Sequence, residues 1–370
     1  MKMVFAKSVL FSSILLVVLV SQQSKAEPLV PILCIFGDSV ADTGNNNGLY
    51  TIIKANFPPY GRDFVTHTPT GRFCNGKIAT DFTAENLGFS AYPPSYLTQA
   101  AQGNNLLIGA NFASAGSGYS ETTANLYRAI SLTQQLGYYK EYQSKVTKMV
   151  GSERANKMFS GGIHILSAGA SDYIQNYYIN PYVYRQYTPD QYADLLMASF
   201  TNFVQTLYGL GVRRIGVTSL PPMGCLPAAI TLFGGGSNEC VARLNKDAES
   251  FNTKLNGMAQ SLQTKLTDLK LVVFDIYRPL LEMIARPIEN DRSTQESSNP
   301  AFELIAYRSF ALNVLARLYH VDAEGNRSTS FGCKCLKPSS GAREQLVTNL
   351  RSIHRSFGSK PSLTVRLPSE

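Results

Sequence analysis

Short apolar runs alternate with longer amphipathic stretches along most of this 370-residue chain. The amphipathic stretches, residues 132–159, 188–210 and 242–266, carry apolar residues at helical spacing, and Thr188 followed by Pro189 is typical of a helix start. This alternation predicts an α/β fold in which helices cover both faces of a parallel sheet. The runs predicted as strands are residues 32–36, 106–112, 162–167, 214–219 and 269–276.

Small polar turns follow three of these predicted strands. Ser39 follows the first strand, residues 114–118 follow the second, and residues 169–172 follow the third. Ligands of open parallel sheets bind outside the carboxyl ends of the strands. We therefore expect the three turns to converge on one crevice.

Ser39 is the candidate nucleophile of that crevice. A serine on a turn after a buried strand exposes its hydroxyl, while nearby backbone N–H groups stay free to face an oxyanion. Residues 113–118, Ala-Ser-Ala-Gly-Ser-Gly, are small enough to let backbone N–H groups approach a substrate closely. An acyl-transfer site needs these parts and a base that takes the serine proton.

Several motifs, in order along residues 30–290, resemble those of the plant GDSL esterase/lipase family of the SGNH hydrolases. Gly37-Asp38-Ser39, Asp42 and three consecutive asparagines at 45–47 resemble the first block of the family. A set of ordered motifs is far more specific than the Gly-Asp-Ser triplet alone. The other segments that resemble family motifs are 70–77 (Thr-Gly-Arg-Phe-Cys-Asn-Gly-Lys), 111–116, 220–225 (Leu-Pro-Pro-Met-Gly-Cys), Asn245 and 251–252.

The resemblance implies a flavodoxin-like three-layer α/β/α sandwich with a parallel sheet, and hydrolysis of carboxylic esters without a metal or cofactor. It makes Ser39 the nucleophile, and assigns the oxyanion hole to the N–H groups of Ser39 and Gly116 and an asparagine side chain of the third block. An Asp-x-x-His pair near the C-terminus would complete the triad. The substrate would be a small-molecule acyl ester or lipid.

Two features depart from the family pattern. Ser171 stands where the oxyanion asparagine of the third block is expected, and its hydroxyl reaches less far than an amide. The chain also contains no Asp-x-x-His, so neither the triad aspartate nor its histidine is identifiable. The four histidines are His67, His164, His320 and His354. The strand position of His164 indicates a core residue, and His320 and His354 are the first replacement bases to test.

The resemblance fades near residues 288–290, which divides the chain into a hydrolase domain, 27–290, and an atypical tail, 291–370. The serine- and arginine-rich tail lacks the closing motif of the family. We interpret it as a splice variant or a misread frame, which sequencing the locus and its transcripts would test. The missing base leaves an alternative open: a catalytically impaired isoform, or an extracellular protein that binds lipid or carbohydrate esters.

The N-terminus predicts secretion. Lys2 and Lys7 precede an apolar run over 9–20, and small residues before Ala26 suit cleavage of a signal peptide spanning 1–26. The apolar run is shorter than the ~20 residues that cross a bilayer, so we expect no stable membrane insertion. An extracellular location, in the apoplast or cell wall, follows.

Charge and cysteines add two expectations. The net charge is +8, but it includes Lys2, Lys7 and Lys25 of the signal peptide, and no basic stripe with interleaved aromatics appears, so nucleic-acid binding is not expected. Cys225 and Cys240 bracket a glycine-rich loop and are the predicted disulfide, which secretion permits. The remaining cysteines, with Cys34 predicted as a buried thiol, are Cys34, Cys74, Cys333 and Cys335.

Overall fold

The computed structural model describes residues 27–286 of the chain. Its centre is a parallel sheet whose four strands stand in chain order, β1-β2-β3-β4. Leu33 of the first strand lies opposite Ile163 of the second, and Ile215 of the third lies opposite Leu271 of the fourth. The strands are β1 Leu33–Gly37, β2 Ile163–Ser167, β3 Arg214–Thr218 and β4 Lys270–Phe274.

Helices connect and flank these strands. They are α1 Ala79–Asn86, α2 Glu121–Tyr127, α3 Leu132–Val150, α4 Ser152–Gly161, α5 Ala170–Asp172, α6 Pro181–Gln186, α7 Pro189–Gly209, α8 Pro227–Phe233, α9 Ala242–Lys265 and α10 Tyr277–Ala285. The predicted start of α7 is confirmed: the Thr188 side chain accepts from the Gln191 N–H, and Pro189 is the first helical residue. Ser131 and Gln134 form a similar capping box at α3.

The α/β class is confirmed. Every residue of β1 and β2 is buried, which requires cover on both faces of the sheet. Helices α3, α7 and α9 contact one another in series. Crossovers between successive parallel strands run in one direction across the sheet, so the right-handed rule places these three helices in one layer.

The predicted strand at residues 106–112 is wrong. Residues Gly103–Ile108 form a 3₁₀ helix. Gly109 turns the chain with φ +107°, in a place where a Cβ would lie 2.0 Å from the Leu33 carbonyl oxygen. Beyond it, Asn111 forms single parallel bridges with Ile35 and Ser95. The following polar loop therefore still leaves the sheet beside β1, as expected.

The amphipathic stretch 132–159 is two helices, because Gly151 adopts φ +81° between α3 and α4. Two predictions on cysteines are confirmed: Cys225 and Cys240 form a disulfide, and Cys34 is a buried free thiol. Across residues 27–286, no helix combines the length and apolar character needed to cross a bilayer. The signal peptide, the tail, His320, His354, Cys333 and Cys335 lie outside the described residues.

Candidate active site

Ser39 lies on a turn that begins at the carboxyl end of β1. The Asp38 N–H donates to the Ser167 carbonyl oxygen at 2.9 Å, and the Asp38 Oδ1 accepts from the Val40 N–H at 3.0 Å. Gly37 has φ +135°, and a Cβ there would lie 1.9 Å from the Ser167 carbonyl oxygen. Only glycine fits at position 37, so the turn can pass close to β2 and hold Ser39 beside it.

Gln135 of α3 holds the same turn from the other side. Its Oε1 accepts from the Gly37 N–H at 2.9 Å, and its Nε2 donates to the Gly37 carbonyl at 2.9 Å. The Nε2 also lies 3.2 Å from the Ser117 hydroxyl, so one buried amide joins two loops of the site. Sequence reasoning missed Gln135; its signal was a polar residue directly before Leu136 on a helix face that is otherwise apolar.

The loop that carries Gly116 is bound to the loop that carries Ser39. The Asp42 Oδ2 accepts from the Ala115 N–H at 3.0 Å. The Asp42 Oδ1 accepts from the N–H groups of Gly44 and Asn45, both at 2.8 Å. Asp42 thus acts as a bridge that sets the distance between the two loops.

Two backbone N–H groups at this junction have no acceptor. Within residues 27–286, neither the Ser39 N–H nor the Gly116 N–H is hydrogen-bonded, although both residues are buried. The neighbouring N–H groups of Val40, Ala115 and Ser117 all have partners. Buried N–H groups without a partner are rare in proteins. These two are the backbone donors that the family resemblance implies for the oxyanion hole.

Asp172, which follows β2, holds the far end of the Gly116 loop. Its Oδ2 accepts from the Tyr119 N–H at 2.7 Å, and its Oδ1 accepts from the Ser120 N–H at 3.1 Å and the Thr123 hydroxyl at 2.6 Å. Gly118 packs against this carboxylate, since a Cβ would lie 2.3 Å from Oδ1. Asp172 therefore holds this loop through side-chain hydrogen bonds.

Asn45 and Asn46 do more than form a turn. They lie in a 3₁₀ turn, Asn45–Gly48. The Asn45 Nδ2 donates to the carbonyls of Asn111 and Ala113, at 2.9 and 2.8 Å. The Asn46 Nδ2 donates to the Ala115 carbonyl at 2.8 Å. The Asn111 carbonyl also accepts from the Tyr96 N–H, whereas the carbonyls of Ala113 and Ala115 are satisfied by these side-chain amides. The two asparagines therefore help to hold the Gly116 loop in place.

Ser171 lies in α5, directly after β2. Its hydroxyl is 3.5 Å from the Asp38 Oδ2, at the outer limit of a hydrogen bond. The side chain is buried. The structure therefore brings Ser171 next to the residue that precedes Ser39, on the side of the turn that faces β2.

The histidines of the described residues do not serve Ser39. His164 lies inside β2, and a 2.8 Å hydrogen bond joins its Nε2 to the Tyr139 hydroxyl. Burial lowers the pKa of His164 to about 3, which confirms the expected core role. His67 is on an exposed loop, with its Nδ1 2.8 Å from the Arg62 carbonyl. Over residues 27–286, no base is hydrogen-bonded to the Ser39 hydroxyl.

Asparagine side chains of α9 hold the motif at residues 220–225, which follows β3. The side chain of Asn252 pairs with both backbone groups of Leu220, accepting from its N–H at 2.6 Å and donating to its carbonyl at 2.9 Å. Asn245 accepts from the Gly224 N–H at 2.7 Å. A Cβ on Gly224 would lie 2.1 Å from the Val241 carbonyl oxygen. Asn245 and Asn252 of α9 therefore hold the loop that follows β3.

Burial controls the electrostatics of the two bridging carboxylates. It raises the pKa of Asp42 and that of Asp172 to about 6, and the hydrogen bonds from loop N–H groups oppose the rise. Above this pH both groups are acceptors with full charge. Among the described residues, no cluster of His, Cys, Asp and Glu is placed to hold a metal ion.

A cavity of about 350 Å³ lies away from the nucleophile. Its lining includes Thr43, Arg72, Tyr92 and Ser95, and does not include Ser39. The Arg72 guanidinium is already paired with a carboxylate. The cavity therefore offers hydroxyl groups and ring faces but no free charge.

Comparison with known proteins gives one consistent result. The family model for GDSL-like Lipase/Acylhydrolase matches residues 33–302. The Arabidopsis thaliana protein GDSL esterase/lipase At5g03820 is 66% identical over 266 residues, covering 71% of this chain and 75% of the relative. GDSL esterase/lipase At5g22810 is 62% identical over 268 residues, covering 72% and 74%. GDSL esterase/lipase APG is 56% identical over 280 residues, covering 75% and 79%; both are also from Arabidopsis thaliana.

Proposed function

The chain belongs to the GDSL-like lipase/acylhydrolase family, and we propose that it hydrolyses carboxylic esters with Ser39 as the nucleophile. One observation carries this proposal. The N–H groups of Ser39 and Gly116 are buried without an acceptor among residues 27–286, beside a serine on a turn whose position 37 accepts only glycine. A pair of preorganised donors of this kind fits the oxyanion of an ester in its transition state.

The reaction begins with attack of the Ser39 Oγ on the ester carbonyl carbon. The carbonyl oxygen becomes an oxyanion that accepts from the N–H groups of Ser39 and Gly116 and from the Ser171 hydroxyl. Collapse expels the alcohol and leaves an acyl-serine, which water hydrolyses to the acid. The proton that leaves Ser39 passes to a base and then to the departing alkoxide.

Ser171 makes this oxyanion hole weaker than one with an asparagine. Loss of one side-chain donor typically costs ~10²–10³ in kcat. The hydroxyl of Ser171 replaces part of that donation but is shorter. We therefore propose a site with intact backbone donors and a reduced third donor.

The mechanism also needs a base that takes the proton of Ser39. His164 and His67 are both engaged elsewhere. His320 and His354, in the tail, are the residues to test. Loss of a triad member typically lowers turnover by ~10⁴–10⁶. This supports a second candidate function, a catalytically impaired protein that binds esters without rapid turnover.

We also propose that the chain is secreted. The evidence is the predicted signal peptide at residues 1–26, followed by a disulfide between Cys225 and Cys240, a bond typical of oxidising compartments. N-terminal sequencing of the protein from culture medium tests this. A mature chain that starts at Glu27 supports secretion, and an intracellular chain that retains Met1 contradicts it.

Hydrolysis of short-chain p-nitrophenyl esters by the full secreted chain tests the leading proposal. The matched variant is Ser39→Ala, with near-UV dichroism of both proteins as the folding control. Activity that disappears in Ser39→Ala supports a serine esterase, and His320→Ala and His354→Ala then identify the base. Equal background hydrolysis by the folded parent and the folded Ser39→Ala protein would reject catalysis by Ser39. It would favour the second candidate function, a protein that binds esters without rapid turnover.

A second variant tests the oxyanion hole itself. Ser171→Asn restores the amide that the family uses, and we expect kcat to rise by about 10-fold or more because the third donor then reaches the oxyanion. Labelling of Ser39 by an organophosphonate should accelerate in parallel. An unchanged labelling rate in a folded Ser171→Asn protein would remove residue 171 from the oxyanion hole.

A further inference from the structure

Three large apolar side chains are exposed to solvent on two segments, the loop at residues 50–53 and the last turn of α2. The exposed fractions of Tyr50, Ile52 and Leu126 are 86%, 88% and 50%. Together these side chains are called the rim patch here. Large side chains grouped this way on a surface often mark an interaction site, whereas single exposed ones need no explanation.

A hydrogen bond joins the two segments of the rim patch. The Thr51 hydroxyl donates to the Tyr127 carbonyl at 2.5 Å and also accepts from the Ile53 N–H at 3.2 Å. Tyr50 and Ile52 flank Thr51, and Leu126 precedes Tyr127. The rim patch is therefore built from two segments that a hydrogen bond joins directly beside its members.

The rim patch is also bonded to the candidate active site. The Asn46 side-chain amide donates to the Ile53 carbonyl at 2.9 Å and to the Ala115 carbonyl at 2.8 Å. The Cα of Gly116 packs against Tyr127, since a Cβ on Gly116 would lie 3.2 Å from the Tyr127 Cβ. A molecule that rests on the patch is thus held next to the loop with the proposed oxyanion donor.

A cation lies at the edge of the patch. The Arg128 guanidinium carbon is 5.2 Å from the centre of the Tyr50 ring, in cation–π contact. An arginine beside exposed tyrosine and aliphatic side chains matches the boundary of a lipid surface, where rings sit at headgroup level and cations meet anionic groups.

We propose that the rim patch docks the protein onto the surface of aggregated lipid esters, with Ile52 and Leu126 in the apolar layer and Arg128 against anionic headgroups. The proposal rests on the ester hydrolase function and adds the physical state of the substrate. A second copy of the chain fits less well. The three side chains expose roughly 400 Å², about half of what each partner of a stable dimer buries.

Vesicle binding tests the proposal without turnover. The full-length Ser39→Ala protein is mixed with phosphatidylcholine vesicles, with or without phosphatidylglycerol, and the bound fraction is measured by flotation. We expect the further double change Ile52→Ser/Leu126→Ser to lower partitioning by about 10-fold or more. The matched control is Tyr182→Ser/Leu232→Ser, which removes exposed apolar side chains elsewhere and should leave partitioning unchanged.

Arg128→Gln tests the electrostatic contribution to vesicle binding. It should weaken binding only to vesicles with phosphatidylglycerol, and added salt should remove the difference. Equal losses in the patch and control variants, or no binding by the parent protein, would overturn the proposal. A dimer by light scattering that disappears in the patch variant would overturn it too, and would assign the patch to a second copy. Since Ser39→Ala is used throughout, none of these outcomes depends on ester turnover.

Discussion

The Oδ2 atom of Asp172 accepts a 2.7 Å hydrogen bond from the backbone N–H of Tyr119. The two residues are 53 positions apart, and the contact ties the loop after β2 to the loop that carries Gly116. Asp42 provides the equivalent contact at the other end, through the Ala115 N–H. The Gly116 loop is therefore held at both ends by buried carboxylates, one from each neighbouring loop of the site.

Asp172→Asn should loosen this loop. An amide can accept on one side only, so its NH₂ group faces an N–H donor and at least one loop N–H loses its partner. We expect kcat to fall by roughly 10-fold or more with little change in KM, because the altered contact is to the loop that carries the proposed oxyanion donor, the Gly116 N–H. Faster amide hydrogen exchange at Tyr119 and Ser120 is the direct readout, and needs no activity.

Comparison of the parent protein with Asp172→Asn should also reveal a pH dependence of amide exchange in this loop. Burial raises the pKa of Asp172 to about 6, so the carboxylate of the folded protein takes up a proton as the pH falls through 6, and one of its acceptor atoms becomes a donor. Exchange at Tyr119 should therefore accelerate below pH 6 in the parent protein and stay flat in Asp172→Asn. A parent protein whose exchange, corrected for intrinsic rates, shows no such step would contradict this assignment.

Gly118→Ala should damage the site through sterics alone. The added Cβ would lie 2.3 Å from the Asp172 Oδ1, so either the loop or the carboxylate must move. We expect a loss of unfolding free energy of about 1–3 kcal/mol, as is typical of an overpacked interior. Gly137→Ala is the matched control: this helical glycine has open space around it, and alanine should stabilise by about 0.5–1 kcal/mol. Urea unfolding compares the two.

The buried ion pair between Arg72 and Asp81 supports a further prediction. The Arg72 guanidinium donates to Asp81 through Nε at 2.8 Å and Nη2 at 2.7 Å, and the ring of Phe64 lies 4.6 Å from its carbon. Asp81→Asn leaves the buried cation without its counter-charge. We expect the unfolding free energy to fall by about 3–5 kcal/mol.

The control for this pair is on the surface. Lys157 and Glu153 form an exposed pair one turn apart on α4, at 2.7 Å. Glu153→Gln should change the unfolding free energy by no more than about 0.5 kcal/mol. Similar losses of unfolding free energy in Glu153→Gln and Asp81→Asn would contradict the prediction. They would mean that burial does not make the Arg72–Asp81 pair more important for stability than the exposed pair.

His164 predicts acid sensitivity of the fold. Its pKa is about 3 in the folded protein, below the ordinary 6.5, so the unfolded chain binds the proton first. The neutral histidine contributes fully above pH 6.5, and stability is lost as the pH falls from there towards 3, by up to about 1.4 kcal/mol per pH unit. Asp42 and Asp172 act in the opposite direction between about pH 6 and 4, since their folded pKa values are raised.

The difference between the parent protein and His164→Gln isolates the histidine from these carboxylates. Glutamine is uncharged and can still bond to the Tyr139 hydroxyl. Urea unfolding at pH 7, 6 and 5 should show the parent losing stability relative to His164→Gln as the pH falls. A constant difference across that range would mean that His164 does not stay neutral in the fold.

Much of the architecture was predictable because its signals are local. Four of the five predicted strands, the helix start at Thr188 and the disulfide Cys225–Cys240 follow from patterns within a few residues. The strand predicted at 106–112 was wrong because an apolar run alone does not distinguish a strand from a short helix. What decided it was the close approach of Gly109 to Leu33, a contact between distant segments.

Residue order alone was enough to identify the family, the candidate nucleophile and the absence of an Asp-x-x-His from residues 1–370. The folded structure was needed to show that, within residues 27–286, the N–H groups of Ser39 and Gly116 have no acceptor. It was also needed to show that Gln135, Asp42 and Asp172 hold the loops around them. These contacts are hydrogen bonds between atoms of separate segments, and the distances that permit them exist only after the sheet has brought its strand ends together.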